Sequence, residues 1–324
     1  MKKIFAVFLL ILIKSSLFAE ANEIKITKGF GISFLPLIVA EEHKLVEKNA
    51  KLEGINDLQV KWVQLGGGTG NNEALLSGSV DIITAGVAPF VRLWDKTKGE
   101  VKALVTLDQQ PLVFNTNNPD VKSIKDLTQK DRIAFPSQKV GIQALILQAA
   151  AAKEYGIENF DKFDSLTISL SHPDAAIALT SGKEITGHIA SEPFISIELK
   201  NPNIHKVFSS YDIVGGKHSF NLSSTTTKFF NKNPKLVYIY AKSIDEAAQW
   251  INNNKHEAAK LYLKVTNSKE PVELIEAILN NPDVVFSIKP ENITFFTDFL
   301  YETKAIKSKP ASGEELFFNT GYVR

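Results

Sequence analysis

The strongest constraint on the fold is a pattern that occurs twice in the chain. Residues 74–89 read ALLSGSVDIITAGVAP and residues 178–193 read ALTSGKEITGHIASEP, so Ala-Leu-x-Ser-Gly recurs 104 residues later. In both copies a proline follows the glycine by eleven positions. Each copy therefore predicts a short helix ended by glycine, a buried strand, and a loop whose proline opens the next helix. Such a repeat indicates two lobes of similar topology, although five matched residues are few enough to arise by chance.

The rest of the chain alternates between strand-like and helix-like segments. Strands are predicted at 23–27, 58–62, 81–84, 102–107, 111–116, 132–135 and 166–170. Helices are predicted at 36–48 and at 138–155, the second capped by Ser137 and ended by Gly156. The alternation predicts an α/β fold, and 324 residues are enough for two lobes. Because ligands bind beyond the carboxyl ends of strands in open α/β sheets, the loops after the strands are expected to line a cleft.

The N-terminus has the pattern of a secretory signal peptide. Lys2 and Lys3 precede an apolar run at 4–13, and Ala19 and Ala21 offer cleavage sites. The apolar run is too short to span a bilayer. The alternative is a buried N-terminal helix.

An exported protein is therefore expected, most simply in a periplasm. The chain contains no cysteine, which excludes disulfides, thiol catalysis and the lipid anchor of an exported lipoprotein. Removal of 1–21 takes three lysines from 37 basic residues and one glutamate from 36 acidic residues, which leaves a net charge of −1. Without a basic surplus, a nucleic-acid partner is not expected.

The glycine cluster at 65–70, LGGGTG, stands where a nucleotide-binding loop would lie. A phosphate-binding P-loop needs Lys-Ser or Lys-Thr after its last glycine, but Asn71 and Asn72 follow here. The dinucleotide pattern also fails, because its last position is Asn71 or Glu73. What remains is a backbone that can approach a ligand closely, with Thr69 as the predicted cap of an anion-favouring helix. The alternative is a structural turn without a ligand role.

Enzyme chemistry lacks support in the sequence. No G-x-S-x-G elbow occurs, and none of the six histidines belongs to H-E-x-x-H. His188 and Glu192 are four residues apart, but a strand and loop would not place them on one helix face. No metal or cofactor is therefore expected, and His188 is interpreted as a hydrogen-bonded residue near the cleft.

Charged and aromatic residues near the predicted cleft loops leave the ligand open. Arg92 and Lys139 are positive and Glu192 is negative, so a zwitterionic ligand would reconcile them, although Arg92 and Lys139 also suit an exposed surface. The aromatic residues near these loops suit either ligand contact or core packing: Phe34, Phe90, Trp94 and Phe194.

The chain resembles the substrate-binding proteins of ABC importers in the nitrate/taurine/sulfonate group. The resemblance rests on GFGISFLPLIVAEEHKLVEK, GGGTGNNEALLSGSVDIITAGVAP, SIKDLTQKDRIAFPS and ITGHIASEPF, and it is most specific from Leu75 to Pro89. His43-Lys44 is a small departure from the family's usual lysine-glycine. The resemblance implies a two-lobed type II periplasmic binding protein fold, each lobe a mostly parallel sheet flanked by helices.

The resemblance also implies a domain plan and partners. Lobe 1 would comprise 22–108 and 225–324, and lobe 2 would comprise 109–224, joined by two crossover strands. The lobes would close by a hinge on a small ligand, and a membrane permease with ATPase subunits would receive it. The protein would be a monomer without catalytic activity.

The predicted cleft loops provide the candidate ligand contacts: Ser33, Phe34, Gly68, Thr69, Gly86, Val87, Ser137, Gln138, His188, Glu192 and Phe194. The first expectation for the ligand is taurine or an alkanesulfonate. The alternative is a thiamine-precursor pyrimidine or another small aromatic compound, since a related branch of the family handles that pyrimidine. The synthase of that branch uses a cysteine-rich motif that this chain lacks. An exported enzyme is the third reading.

Overall fold

A computed structural model describes residues 20–322 of the chain. The strands are β1 Glu23–Lys28, β2 Gln59–Gln64, β3 Ile83–Gly86, β4 Val101–Thr106, β5 Asp108–Gln109, β6 Val113–Thr116, β7 Ile133–Phe135, β8 Thr167–Ser169, β9 Gly187–Ala190, β10 His205–Ser209, β11 Asn221–Thr226 and β12 Val285–Phe286. The helices are α1 Leu35–Glu42, α2 Leu45–Leu52, α3 Gly68–Leu76, α4 Val87–Lys96, α5 Ile142–Tyr155, α6 His172–Thr180, α7 Phe194–Glu198, α8 Ser210–Val214, α9 Thr227–Lys232, α10 Pro234–Asn253, α11 Lys255–Thr266, α12 Val272–Asn280 and α13 Thr294–Glu302.

The strands form two groups with the same internal order. In the first sheet β1 pairs in parallel with β2 and is bridged in parallel to the segment leading into β3, and β11 runs antiparallel between β3 and β4. In the second sheet β7 pairs in parallel with β8 and β9, and β6 runs antiparallel between β9 and β10. The orders are therefore β2-β1-β3-β11-β4 and β8-β7-β9-β6-β10. The α/β fold class is confirmed, with mixed sheets.

The repeated sequence occupies matching places in the two sheets. The first copy gives the end of α3, then β3 and α4, while the second gives the end of α6, then β9 and α7. Gly78 and Gly182 follow the two helix ends with φ angles of 74° and 67°, a left-handed conformation that favours glycine. Both glycines end their helices for the same backbone reason, and β3 and β9 are buried throughout.

Helices on the first sheet enclose the largest apolar core. α1 and α10 pack closely, and α2, α11 and α12 extend the same cluster. Tyr240 of α10 is fully buried, and its hydroxyl meets Ser223 Oγ at 2.6 Å. This interior bond anchors α10 to β11, which is the strand by which the chain re-enters the first sheet.

Two short segments connect the sheets. The chain passes from β4 to β6 through 107–112 and returns from β10 to β11 through 210–220. The connections touch each other, since Gln109 forms a bridge with Ser219. In addition, β5 in the first connection pairs with β12. The lobe boundaries given above remain predictions.

Two helix predictions are wrong in detail. The segment predicted as one helix at 36–48 is two helices, because Lys44 takes a left-handed φ of 51° between α1 and α2. The helix predicted from residue 138 begins at Ile142, because a turn closes at 137–141 where the Gly141 N–H donates to the Ser137 carbonyl. Gly141 is thus the N-cap and Ser137 is not. The predicted end of this helix, at Gly156, is confirmed.

The predicted signal peptide, 1–21, lies almost wholly outside the described residues. Glu20 and Ala21 are described, and the Ala21 N–H donates to Asn233 Oδ1 at 2.8 Å. Between residues 20 and 322, no helix combines the length and apolar character needed to cross a membrane.

Candidate ligand-binding cavity

A cavity lies between the two sheets, beyond the carboxyl ends of β1, β2, β3, β7 and β8. Its empty volume is about 580 Å³, counted out to its open mouth. Both sheets supply its walls, as expected for the binding crevice of open α/β sheets. The residues that line it are Gly29, Phe30, Phe34, Leu65–Gly68, Asn71, Thr84–Gly86, Pro89, Pro136, Ser137, Gly141–Gln143, Ser171, His172, Phe220 and Asn221.

Glycines allow the two walls to come very close. A Cβ at Gly67 would stand 2.7 Å from Ser137 Oγ, and a Cβ at Gly86 would stand 2.8 Å from Cγ2 of Ile142. Gly67 and Gly86 belong to the first sheet's side, whereas Ser137 and Ile142 belong to the second. A larger residue at either glycine would force the facing group on the other wall to move.

Asn71 holds the glycine loop in place. Its amide donates to the Gly67 carbonyl at 2.8 Å, and its Oδ1 accepts a hydrogen bond from the Thr27 hydroxyl. Thr27 Oγ1 in turn accepts from the backbone N–H of Thr84 at 2.9 Å. The loop is therefore tied to β1 and β3. Asn71, at the position where a P-loop would need lysine, serves here to hold the loop through these hydrogen bonds.

Five helices begin at the cavity. The N-cap residues of α1, α3, α4, α5 and α6 all line it: Phe34, Gly67, Gly86, Gly141 and Ser171. The first backbone N–H groups of a helix lack intrahelical partners, and the helix dipole places partial positive charge there. The arrangement favours an anionic group between the helix starts.

Neutral side chains complete the cavity. Within the described residues, no lysine, arginine, aspartate or glutamate lines it. Its apolar walls are formed mainly by Phe30, Phe34, Leu65, Ile142 and Phe220, and Phe30 is 41% exposed at the mouth. Any charge on a ligand must therefore be met by neutral donors and helix starts.

A chain of buried polar side chains runs back from the second-sheet wall. Nε2 of Gln143 lies 3.1 Å from Nε2 of His172, and Nδ1 of His172 lies 2.8 Å from Nε2 of His188. Nδ1 of His188 lies 2.5 Å from Glu198, whose other oxygen accepts from the Asn115 amide at 2.8 Å. Burial, together with the neighbouring His188, holds the pKa of His172 well below its usual value, so this imidazole stays neutral.

Glu192 braces the two sheets without facing the ligand space. Its carbonyl accepts from the Ile32 N–H at 2.9 Å, and its own N–H donates to Gln110 Oε1 at 3.1 Å. Its carboxyl accepts from the hydroxyl and the N–H of Ser196. Burial raises the pKa of Glu192 to about 7.

Asp108 lies where the connecting segments meet. It accepts from the Gln110 amide at 2.6 Å and from the Asn221 N–H at 3.1 Å. Burial raises its pKa to about 7. Because Asn221 also donates to Ser33 Oγ at 3.0 Å, its position on the cavity wall is set by both partners.

Four of the predicted contacts line the cavity: Phe34, Gly68, Gly86 and Ser137. Three others stand directly behind the wall. Ser33 supports Asn221, His188 supports His172, and the Phe194 ring stacks on His172 with a centroid distance of 5.6 Å. Among residues 20–322, Glu192 contacts no wall residue through a hydrogen bond, and its carbonyl oxygen would stand 3.1 Å from a Cβ at Gly31, which is outside the lining.

The other three predicted contacts do not line the cavity. Thr69 is exposed and caps nothing, because α3 begins one residue earlier with Gly67 as its N-cap. Val87 is fully buried in the apolar core. Gln138 is exposed, and its amide donates to the Thr167 carbonyl.

The predicted charged and aromatic neighbours are also elsewhere. Phe90 and Trp94 pack in the apolar core, and Arg92 donates to the carbonyl of Lys139 at 3.3 Å. His188 pairs with Glu198 and not with Glu192. Residues 20–322 contain no cluster of three or more histidine or acidic side chains that could hold a metal ion.

The predicted contacts lack six polar residues of the wall: Asn71, Thr84, Gln143, Ser171, His172 and Asn221. Gln143 and His172 each occupy the first turn of a helix that starts at the cavity, so correct helix starts would have identified them. Asn221 is the first residue of β11, which runs antiparallel to β3. No local sequence pattern identifies Asn221 as a cavity residue.

Residues 19–265 match the model of the NMT1-like family, and the protein belongs to that family. In sequence the chain is similar over 300 residues to a Bacillus subtilis (strain 168) protein whose name describes it as an aliphatic sulfonates-binding protein. The two are 26% identical, over 90% of this chain and 84% of that protein.

Solved structures share the fold. The alkanesulfonate-binding protein SsuA from Xanthomonas axonopodis pv. citri, bound to MOPS, superposes with a TM-score of 0.71 at 17% identity over 92% of this chain and 98% of that one. The periplasmic nitrate-binding protein NrtA from Synechocystis PCC 6803 superposes with a TM-score of 0.65 at 16% identity over 91% of this chain and 84% of that one. These relatives are substrate-binding proteins rather than enzymes, and the fold is that of periplasmic binding proteins.

Proposed function

We propose that this protein is the solute-binding component of an ABC importer and captures a small organic anion of the sulfonate type. One observation carries the proposal: a cavity between two sheets combines five helix N-termini with apolar walls and, among residues 20–322, no charged side chain. Helix starts and neutral donors suit an anionic head group, and phenyl and aliphatic side chains suit a carbon tail. The names of the relatives support the same ligand class.

An alkanesulfonate fits these walls better than taurine. The ammonium group of a zwitterion would need an acceptor with negative charge, but no carboxylate lines the cavity within the described residues. Glu192, the predicted partner for a cationic end, is engaged by Ser196. Burying an unpaired ammonium group is costly, so taurine should bind more weakly than an alkanesulfonate of similar length.

Capture would proceed by closure of two lobes. Lobe 1 would comprise 22–108 with 225–324, and lobe 2 would comprise 109–224. A ligand that contacts both walls stabilises the closed arrangement, which a permease and its ATPase subunits would then recognise. The signal-like residues 1–21 and the periplasmic relatives support a periplasmic location for a monomeric carrier.

A ligand screen tests the proposal. Purified protein should gain roughly 3–4 kcal/mol of stability at 100 to 1,000 times the Kd of its ligand. Thermal shift and calorimetry with linear alkanesulfonates, taurine and nitrate should show the largest shift with an alkanesulfonate. No shift with any sulfonate would defeat the proposed ligand class.

A second candidate ligand is a small aromatic compound such as a thiamine-precursor pyrimidine. The observation that favours it is the number of rings on the wall, from Phe30, Phe34, Phe220 and His172. Aromatic rings stack on such ligands with offset or edge-to-face geometry. The same screen decides, because a shift with pyrimidines and none with sulfonates would select this candidate.

A further inference from the structure

The polar chain behind the cavity connects one wall residue to a buried carboxyl group. Gln143 and His172 line the cavity, whereas His188 and Glu198 are fully buried. The bonds run from α5 through α6 and β9 to α7, and each joins side chains distant in sequence. No single helix or strand needs this chain of bonds for its own stability.

Each bond in the chain has a preferred donor. Both oxygens of Glu198 are occupied: one accepts from the NH₂ group of Asn115, and the other faces Nδ1 of His188. When the Glu198 carboxyl is ionised it only accepts, so Nδ1 of His188 then carries the proton. When the His188 ring is neutral, its Nε2 is then an acceptor, and it requires a proton on Nδ1 of His172.

The same logic sets the amide of Gln143. Nε2 of His172 is left as an acceptor, so Gln143 must turn its NH₂ group toward it, at 3.1 Å. Oε1 of Gln143 forms no hydrogen bond with any residue between 20 and 322. It is not one of the solvent-inaccessible polar atoms without a partner, so it keeps some accessible surface. The carbonyl oxygen is therefore open to the cavity.

We propose that Gln143 is a specificity-determining residue and that His172, His188 and Glu198 are positioning residues that hold its carbonyl oxygen toward the ligand. This inference rests on the proposed function. A sulfonate whose tail carries a hydroxyl or N–H donor then binds more tightly than one with a plain alkyl tail, because a buried acceptor without a donor costs affinity. The helix N-termini bind the anionic head group, and the carbonyl oxygen of Gln143 accepts a hydrogen bond from a donor on the tail.

The first test needs no ligand. Nitrogen-15 NMR of the histidine rings in the full-length mature protein near neutral pH reports which ring nitrogen carries the proton. We expect the Nδ1–H form for both His172 and His188. In the Glu198→Gln variant the new amide donates to His188 and reverses the chain, so both rings should change to the Nε2–H form. Glu192→Gln, a similar change in a buried carboxyl that bonds only to Ser196, should leave both rings unchanged.

The second test uses matched ligands. Calorimetry compares hydroxyalkanesulfonates of two to four carbons with the corresponding alkanesulfonates. The wild type should prefer at least one hydroxylated member by about fivefold, the effect expected of one hydrogen bond. Glu198→Gln should remove that preference, because Gln143 then presents its NH₂ group, and Glu192→Gln should keep it.

The outcomes separate the two proposals. An Nε2–H form of His172 in the wild type, or no change in Glu198→Gln, overturns the positioning role even if sulfonates bind. The expected ring forms without any hydroxyl preference overturn the specificity role. If no sulfonate binds, the proposed function fails together with the tail-reading role, while the ring measurement still decides the positioning chain. Should Glu198→Gln fail to fold, the protonated ring nitrogens in the wild type alone decide in which direction the hydrogen bonds from Glu198 to Gln143 run.

Discussion

The two copies of the repeated unit have the same backbone plan but different contents at the end of their strands. At the position equivalent to Gly86 the second copy has Ala190, and at the position equivalent to Ala88 it has Glu192. Gly86 faces the cavity across from Ile142, whereas Ala190 packs in a small apolar cluster with Val113 and Ile195. The first copy thus makes room for a ligand, and the second supplies buried polar groups that brace the wall.

This difference teaches that the scaffold and the site depend on different residues of the same unit. The leucine and glycine that the copies share set the helix end and the core contact. The residues that differ decide whether the end of the strand faces the ligand cavity or packs against buried side chains. Each prediction below except the last alters one shared or one differing position, and the last alters hydroxyl groups near the cavity.

The largest effect is expected at the shared leucines. Leu75 and Leu179 are both buried, in separate clusters of the first and second sheet. Leu75→Ala and Leu179→Ala should each lower the free energy of unfolding by about 3 kcal/mol, because each leaves a cavity in its core. Urea denaturation measures both. The exposed neighbour Leu76→Ala should change stability by less than about 0.5 kcal/mol. A cost below about 1 kcal/mol at either buried leucine would contradict the equivalence of the two units.

The next effect concerns Glu192, which has no counterpart in the first copy. Its folded-state pKa of about 7 lies above the ordinary glutamate value of 4.5, so the folded protein binds the proton more tightly than the unfolded chain. This stabilisation is fully present below pH 4.5 and is lost as pH rises through 7. Glu192→Gln should therefore gain about 2 kcal/mol relative to the wild type between about pH 5.5 and about pH 8.

Denaturant unfolding at both pH values measures the effect of Glu192→Gln. The variant can keep its bonds, since a glutamine oxygen accepts from the Ser196 N–H and its amide donates to the Ser196 hydroxyl. A difference between variant and wild type that does not change with pH would show that the buried carboxyl does not titrate in this range.

The exchange of the differing small residues comes third. Gly86→Ala should weaken ligand binding about tenfold, or roughly 1.4 kcal/mol, because the new Cβ pushes against Ile142 and separates the walls. Backbone strain plays no part, since φ at Gly86 is −61°. Calorimetry with the best sulfonate measures this. Gly70→Ala is the control, because its Cβ would meet open space. Unchanged affinity in Gly86→Ala would refute the narrow gap between the walls.

The reverse exchange, Ala190→Gly, should affect stability and not binding. It removes one methyl group from a buried cluster and adds backbone freedom to the unfolded chain, at a cost of about 1 kcal/mol. Thermal unfolding and calorimetry together separate these effects. A loss of affinity larger than that of Gly86→Ala would reverse the roles assigned to the two units.

The smallest effects separate two hydroxyl groups near the helix starts. Ser137 lines the cavity, and Ser137→Ala should weaken binding of an anion about fivefold through the loss of one donor. Thr69 is exposed and outside the cavity, so Thr69→Ala should leave the affinity unchanged. Equal losses in the two variants would indicate that the ligand reaches beyond the described cavity.

Local patterns in the sequence determined much of the fold. Alternating apolar residues located β1 and β2, and the two Ser-Gly pairs located the ends of α3 and α6. The failed nucleotide patterns at Asn71 and Glu73 followed from the residues alone, and so did the resemblance to a binding-protein family. These features depend on neighbours within a few residues, which is why one sequence suffices.

Only the tertiary structure decided which residues form the site. Gly86 meets Ile142, Asn221 meets Ser33 and His188 meets Glu198 because the two sheets bring together segments that are distant in sequence or on different elements. A shift of a few residues in a helix start moved Ser137 from a cap to the cavity wall and left Thr69 exposed. The repeated motif therefore determined that there are two similar units, whereas long-range packing decided that one opens space for a ligand and the other orders the polar groups behind it.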